Sequence, residues 1–230
     1  MRIILKANKG AVTQSGRVGG WQSLCLGFES RLLHMEFKEF IEQLALEAGK
    51  IIGDNLDKHK EIVTLKGEYD FTTHVDHEVE QFVRNKIEEK YPGHSIMGEE
   101  LGESQSTSEY KWFIDPIDGT KNYAHNLAGF SVSIGLAKNG EVIAGAVCDP
   151  LRKELFYAEK GKGAFLNNKK IKVSKVKSLK KSLLATGFYY ERGNLMKKTL
   201  KQMGSFFKKN VQGIRRVGSA ALDLCYVAAG

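Results

Sequence analysis

Between Phe37 and Ile52 the apolar residues fall at Phe37, Phe40, Ile41, Leu44, Ala48, Ile51 and Ile52. Steps of three and four put them along one face, so an amphipathic helix is predicted to begin at Glu36. A second helical pattern runs from about Asp76 to Tyr91, with Val79, Phe82, Val83 and Ile87 on one side and Pro92-Gly93 closing it. Between the two, Glu61–Lys66 reads as a strand leading to a turn around Gly67. The period then shortens to two. Phe130–Lys138 alternates, Asn139-Gly140 is a type I′ hairpin signal, and Glu141–Cys148 returns as the partner strand. Shorter strands are predicted at Glu154–Ala158, Ala164–Leu166, Lys170–Val173 and Ser182–Thr186. Leu195–Phe207 reads as a helix, Gly213–Val217 as extended chain, and Ser219–Ala229 as a helix capped by its serine. Helices and antiparallel strands come in blocks rather than strict βαβ units, which predicts an α+β fold.

Residues 1–34 follow neither period. They carry five basic residues and a single acid, Glu29. An acid-poor, Arg- and Ser-bearing leader has the composition of a transit peptide. Because the helical pattern starts directly after Met35, the simpler reading is an atypical leader, disordered or spurious, ahead of a domain spanning 35–230.

Composition narrows the class only a little. The chain has 230 residues, 42% hydrophobic and 27% charged, with no apolar run long enough for a membrane span, which needs about 18 residues. The formal charge of +8 could serve nucleic acid or anionic metabolites. Its lysines are spread along 153–181 and 197–209, the pattern of a solvated surface. Cys25, Cys148 and Cys225 match no metal or redox spacing, and read as reduced thiols in a cytoplasmic protein.

The chemistry concentrates between residues 76 and 120. Ser95-Ile96-Met97 leads into Gly98-Glu99-Glu100, and Trp112-Phe113-Ile114 runs straight into Asp115-Pro116-Ile117-Asp118-Gly119-Thr120. Carboxylates at the end of a buried strand are costly unless cations or hydrogen bonds compensate them. Pro116 restricts the backbone and Gly119 frees it, which predicts a tightly specified turn where two aspartates converge. Oxygen donors without Cys or suitably spaced His favour a hard cation, magnesium or manganese. A helix starting at Gly119-Thr120 would aim N–H groups at a phosphate. Metals beside an anion site point to phosphoryl transfer to water. His74 and His125 lack ligand spacing, and Trp112 and Phe113 read as strand core.

These residues resemble the inositol monophosphatase family. WFIDPIDGTKNY (Trp112–Tyr123) is similar to its D-P-[ILV]-D-G-T signature, Gly98-Glu99-Glu100 to its G-E-E, and Thr73-His74-Val75-Asp76 to its T-x-x-D. Gly161–Phe165 and Gly218–Asp223 resemble further blocks in the same order, so the likeness covers about 36–230. The resemblance implies a layered α/β/α/β/α sandwich of the inositol monophosphatase and fructose bisphosphatase type. It implies a lithium-sensitive phosphatase using two or three Mg2+ ions, with Mn2+ as a substitute. Glu99, Asp115, Asp118 and the Ile117 carbonyl would hold metal. Asp76, Glu99 and Thr120 would be catalytic, and Asp118, Gly119 and Thr120 would bind substrate. Glu100 would act behind the ligands, and Lys66 resembles a basic residue near a metal-site loop.

The substrate implied is a small phosphorylated polyol, inositol 1-phosphate above all, since Thr186–Arg192 resembles a bacterial substrate-side segment. A homodimer is implied as well. Family members continue to a W-D-x-A-A-G motif that nothing here matches, so the expectation is that the final layers are incomplete and that this chain binds metal weakly. Two other readings stay open: a regulatory protein binding RNA or the transcription machinery, and an inactive truncated product.

Overall fold

The strand carrying the acids, β4 (Tyr110–Asp118), lies next to the edge of a seven-stranded sheet. The structure, a computed structural model, describes residues 20–56, 58, 62–67, 70–104, 106–188 and 193–230, with side chains from residue 36 on except 62–67, 70 and 71. The chain divides into two compact units, Met1–Glu36 and Phe37–Gly230, and the site lies in the second.

Ahead of β4 come α1 (Gly20–Asp54), β1 (Ile62–Gly67), β2 (Asp70–Thr73), α2 (His74–Lys90) and β3 (Ser95–Gly98). After it come α3 (Thr120–Ala124), β5 (Ser131–Lys138), β6 (Glu141–Asp149), β7 (Glu154–Glu159), β8 (Gly163–Leu166) and β9 (Lys169–Lys170). A 3-10 turn (Leu179–Lys181), β10 (Leu183–Ala185), α4 (Asn194–Lys208), β11 (Gly213–Arg215) and α5 (Ala220–Ala229) follow. The large sheet is ordered β3-β4-β5-β6-β7-β8-β9, with β3 and β4 parallel and the remaining pairs antiparallel. β1 and β2 pair as a hairpin, and β10 and β11 form a separate parallel pair.

Strand alternation assigns the layers. Ala144, Ala146 and Cys148 on β6 and Leu155 and Tyr157 on β7 join one core with Ile41, Leu44 and Ile52 of α1 and Val79, Val83 and Ile87 of α2. Their neighbours Val147 and Phe156 point the other way and pack with Leu222 and Cys225 of α5. Successive strand side chains face opposite sides, so the sheet lies between α1 with α2 and α5. That is the α+β class predicted. Full burial of Trp112, Tyr123 and Ile134 contributes on the order of 2 kcal/mol or more each. Cys148 and Cys225 are free and buried in these cores, and burial pushes both thiols up to about 12.

The hairpin signal holds: Asn139 and Gly140 both have positive φ, 51° and 79°, between the paired Lys138 and Glu141. Three expectations shift, and two short strands arise that the sequence pattern did not predict. The first helix starts at Gly20 rather than Glu36, because residues 20–34 contain no proline and nothing in their backbone chemistry stops a helix. The strand expected at Lys170–Val173 shrinks to Lys169–Lys170 on the sheet edge. β2 and β3, each of four residues, are too short to show a period. The turn expected across Asp115–Thr120 is still strand to Asp118, and turns only at Gly119. Glu61 and the segment 189–192 lie outside the described residues, as does the Lys66 side chain.

Candidate active site

In a regular strand, residues three apart face opposite sides. Asp115 and Asp118 escape this because β4 bulges between them. Asp115 pairs with Ser133 and Asp118 with Ser131, so β4 spends one residue more than its partner over the same stretch. Burial records the change of phase. Trp112, Ile114 and Pro116 are buried in alternation, and Ile117 is buried directly after Pro116. Pro116 cannot donate a ladder hydrogen bond, so a bulge is the place in an inner strand that tolerates it.

Two elements bring further acids to this bulge. β3 runs parallel to β4, and Glu99 follows its last residue, with the Glu99 amide donating to the Ile114 carbonyl at 3.2 Å. α2 supplies Asp76 in its first turn. Asp76 accepts the Thr73 amide at 2.8 Å and the Thr73 hydroxyl at 2.5 Å through one oxygen, which fixes the helix start. Its other oxygen faces the Thr120 hydroxyl at 3.3 Å, and that hydroxyl also lies 2.9 Å from the Ile117 carbonyl. One hydroxyl proton serves either acceptor, and the Ile117 oxygen keeps a second lone pair.

Gly119 makes the exit. Its φ of 98° lies in the left-handed region, and an added Cβ would stand 2.7 Å from the Gly129 carbonyl oxygen. Thr120 then opens α3. Asn122 on that short helix donates through Nδ2 to the carbonyls of Val217 at 2.6 Å and Gly129 at 2.8 Å. That ties the segment to the turn before α5. There Ser219 accepts the Leu222 amide at 3.0 Å as the predicted cap, while its hydroxyl lies 2.7 Å from Asp118. The Ala221 amide donates to the same Asp118 oxygen at 2.6 Å. An acid at a helix start is stabilised there.

The electrostatics are those of a crowded carboxylate set. Asp115 is held well above the usual range by burial first, then by the charges of Glu99 and Asp118 and a hydrogen bond with Glu99. Burial also raises Asp118, against the hydrogen bonds from Ala221 and Ser219. Asp76 is pushed up to about 6, chiefly by burial, with Glu100 adding its charge. Asp115 Oδ1 is buried and has no hydrogen-bond partner. Such an oxygen, among all-oxygen donors, fits a hard dication. Among the described residues no three His, Cys, Asp or Glu groups are close enough to hold a metal as they stand. Drawing them closer would bring like charges together, a cost that a cation offsets.

Of the residues singled out from sequence, Asp76, Glu99, Asp115, Ile117, Asp118, Gly119 and Thr120 all meet at the β4 bulge and its flanks. His125 is exposed, Trp112 is fully buried and donates its indole N–H to His94 at 3.1 Å, and Phe113 is half-buried. Sequence reasoning missed Asn122 and the bond between Ser219 and Asp118, for which no local pattern exists. It also missed Asp223, which lies near enough to Asp118 to be raised to about 6 by burial and that charge. Glu80 and Arg84 were missed as well, although their four-residue spacing on one helix was a readable signal.

A model of the inositol monophosphatase family matches residues 34–230. A protein from Aquifex aeolicus described as fructose-1,6-bisphosphatase/inositol-1-monophosphatase is 39% identical over 203 residues, covering 85% of this chain and 74% of its own. The Nus factor SuhB of Haemophilus influenzae is 40% identical over 186 residues, covering 80% of this chain and 69% of its own. Among solved structures, the extragenic suppressor protein suhB of Bartonella henselae superposes with a TM-score of 0.80 at 33% identity, covering 85% of this chain and 75% of that one.

Proposed function

The chain belongs to the inositol monophosphatase family, a family of phosphatases, and from that premise we propose that it hydrolyses a small phosphorylated polyol, inositol 1-phosphate first among them, with Mg2+. The observation carrying this reading is the unpartnered, buried oxygen of Asp115 beside Glu99 and Asp118. Glu99, Asp115, Asp118 and the Ile117 carbonyl would hold the cations, which would polarise the phosphoryl group and make a bound water acidic.

The chain's own groups do the rest. Thr120 would hold the attacking water through its hydroxyl. Asp76, hydrogen-bonded to that hydroxyl and raised to about 6, is poised to take a proton near neutral pH. The Gly119 and Thr120 amides would face the phosphate, and Asp118 would meet a substrate hydroxyl. The water oxygen bonds to phosphorus, the ester P–O bond breaks, and the alcohol leaves with a proton, giving free phosphate. The Aquifex relative's description names both an inositol and a fructose phosphate activity, which supports a polyol phosphate over a nucleotide.

Lithium sensitivity, Mn2+ substitution, a homodimer and a cytoplasmic location belong to the same proposal. Among the described residues no helix is long and apolar enough to cross a membrane. The test is calorimetric titration of Mn2+ with phosphate release from inositol 1-phosphate and fructose 1,6-bisphosphate. Metal-dependent release that falls at least about 100-fold in Thr120→Ala is expected. Release indifferent to metal and to Thr120 would refute the reading.

The relatives described as Nus factors support a second reading, a partner of the transcription machinery. Salt-sensitive RNA or polymerase binding that survives Asp118→Asn would favour it.

A further inference from the structure

Asp76, Glu80 and Arg84 recur every four residues along α2, so they lie on one face of the helix. Asp76 belongs to the site. Glu80 and Arg84 do not touch it, yet Glu80 is fully buried and Arg84 nearly so. The Arg84 Nε donates to Glu80 Oε1 at 2.8 Å. The remaining capacity of that carboxylate goes to one place. Oε2 accepts the Glu100 amide at 2.7 Å, and Oε1 accepts the Leu101 amide at 3.0 Å. Arg84 Nη2 donates to the Gly102 carbonyl, and Gly98 backs directly onto the Glu80 carboxylate. The amide of Gly98 itself closes on the Gly102 carbonyl at 3.0 Å.

The segment 98–102 is therefore gripped on both sides of Glu99, an exposed residue whose carboxylate reaches Asp115. A buried ion pair is a poor device for stability alone, since apolar residues of equal volume do as well or better. Its use here is directional, because a carboxylate can accept several N–H groups at fixed positions and an apolar side chain can accept none.

We propose that Glu80, clamped by Arg84, is a positioning residue that presets Glu99 for cation binding by holding the backbone on either side of it. The proposal rests on the metal reading given under Proposed function. It predicts that losing the clamp lowers metal affinity while leaving the other ligands and the fold in place.

Two variants test it: Glu80→Gln, and the double variant Glu80→Gln/Arg84→Met, which removes both charges together and so avoids a lone buried cation. Each is checked for folding by thermal melting. Amide exchange is then followed by NMR in metal-free protein, Mn2+ is titrated by calorimetry, and phosphate release is measured across Mn2+ concentrations. Both variants are expected to weaken Mn2+ binding about 10–100-fold, the loss seen when outer partners of a metal ligand are removed. The Glu100 and Leu101 amides should exchange at least about tenfold faster. Excess Mn2+ should restore most of the lost turnover, which a general loss of structure would not allow. A folded variant that binds Mn2+ like the parent, or that keeps both amides protected, overturns the proposal. A parent chain that fails to bind Mn2+ at all overturns the metal reading instead.

Discussion

Gly98 and Asp115 show how narrowly single residues are specified around the bulge. A Cβ on Gly98 would stand 1.9 Å from Glu80 Oε1 and 2.2 Å from its Cδ. That carboxylate cannot swing aside without abandoning Arg84 and two amides. Gly98→Ala is therefore expected to cost about 1–3 kcal/mol in urea unfolding, the range for overpacking, and to weaken Mn2+ binding as well. Gly53 of α1, where nothing lies within 4 Å of the added carbon, is the control. Gly53→Ala should be neutral or gain up to about 1 kcal/mol. Asp115 runs the opposite way. Its carboxylate is buried, crowded by Glu99 and Asp118, and short of a hydrogen bond. An amide in its place cannot ionise, so Asp115→Asn should stabilise the metal-free protein at pH 7 while reducing Mn2+ affinity more than about 100-fold. Thermal melts and calorimetry on the same samples decide this; a variant less stable than its parent would show that the carboxylate was well compensated after all.

Elements were legible where they were long. The 3.6-residue period found α2 and the Phe37–Ile52 part of α1, and Asn139-Gly140 located the hairpin of β5 and β6 to the residue. β2 and β3 were not legible, because four residues hold too little alternation to show a period. The bulge in β4 was half-legible. Pro116 and Gly119 marked an irregularity, but only the register against Ser131 and Ser133 shows that it rotates Asp118 to the side of Asp115. Ser219 was readable as a cap, and its hold on Asp118 was not, since 101 residues separate the two. That double role gives a test at the scale of the element. Ser219→Ala removes the α5 cap and a hydrogen bond to Asp118, and also the contact with Ser131 at 3.1 Å. A loss of about 1–2 kcal/mol is expected from the cap alone. Asn122→Ala should act on the same turn by releasing the Val217 carbonyl. The two side chains secure one turn, so the double variant should lose less than the sum of the single ones. Strict additivity in urea melts would separate the cap from the turn.

For the molecule as a whole, the site sets how stability responds to pH and metal. Residue types and spacing marked the segments that carry Glu99, Asp115 and Asp118, because hard-cation chemistry selects carboxylates, while Asp76 and the ligand roles came from the resemblance to the inositol monophosphatase family. Their raised pKa values were not readable, since they come from burial and from neighbours supplied by β3, β4, α2 and α5. The sign follows from proton binding. A carboxyl raised on folding holds more protons folded than unfolded, so its favourable share is complete below the unfolded value of about 4 and is lost as pH rises through the folded value. For Asp76, raised to about 6, the window is pH 4 to 6. Two pH units correspond to roughly 3 kcal/mol. Asp223, half-exposed and also raised to about 6, adds a smaller part in the same direction. Metal-free protein should therefore melt several degrees lower at pH 7.5 than at pH 5. Burial lowers His94, so its protonation in acid works against this, and the decisive comparison is Asp76→Asn, whose melting curve should be flatter across that window. Saturating Mn2+ or Mg2+ should raise the pH 7.5 value most, by about 2.7 kcal/mol when the cation stands at 100 times its Kd. A parent protein whose stability rises from pH 5 to 7.5 without metal would mean that the acids at the bulge are already neutralised by the fold, and that no cation is needed to hold them together.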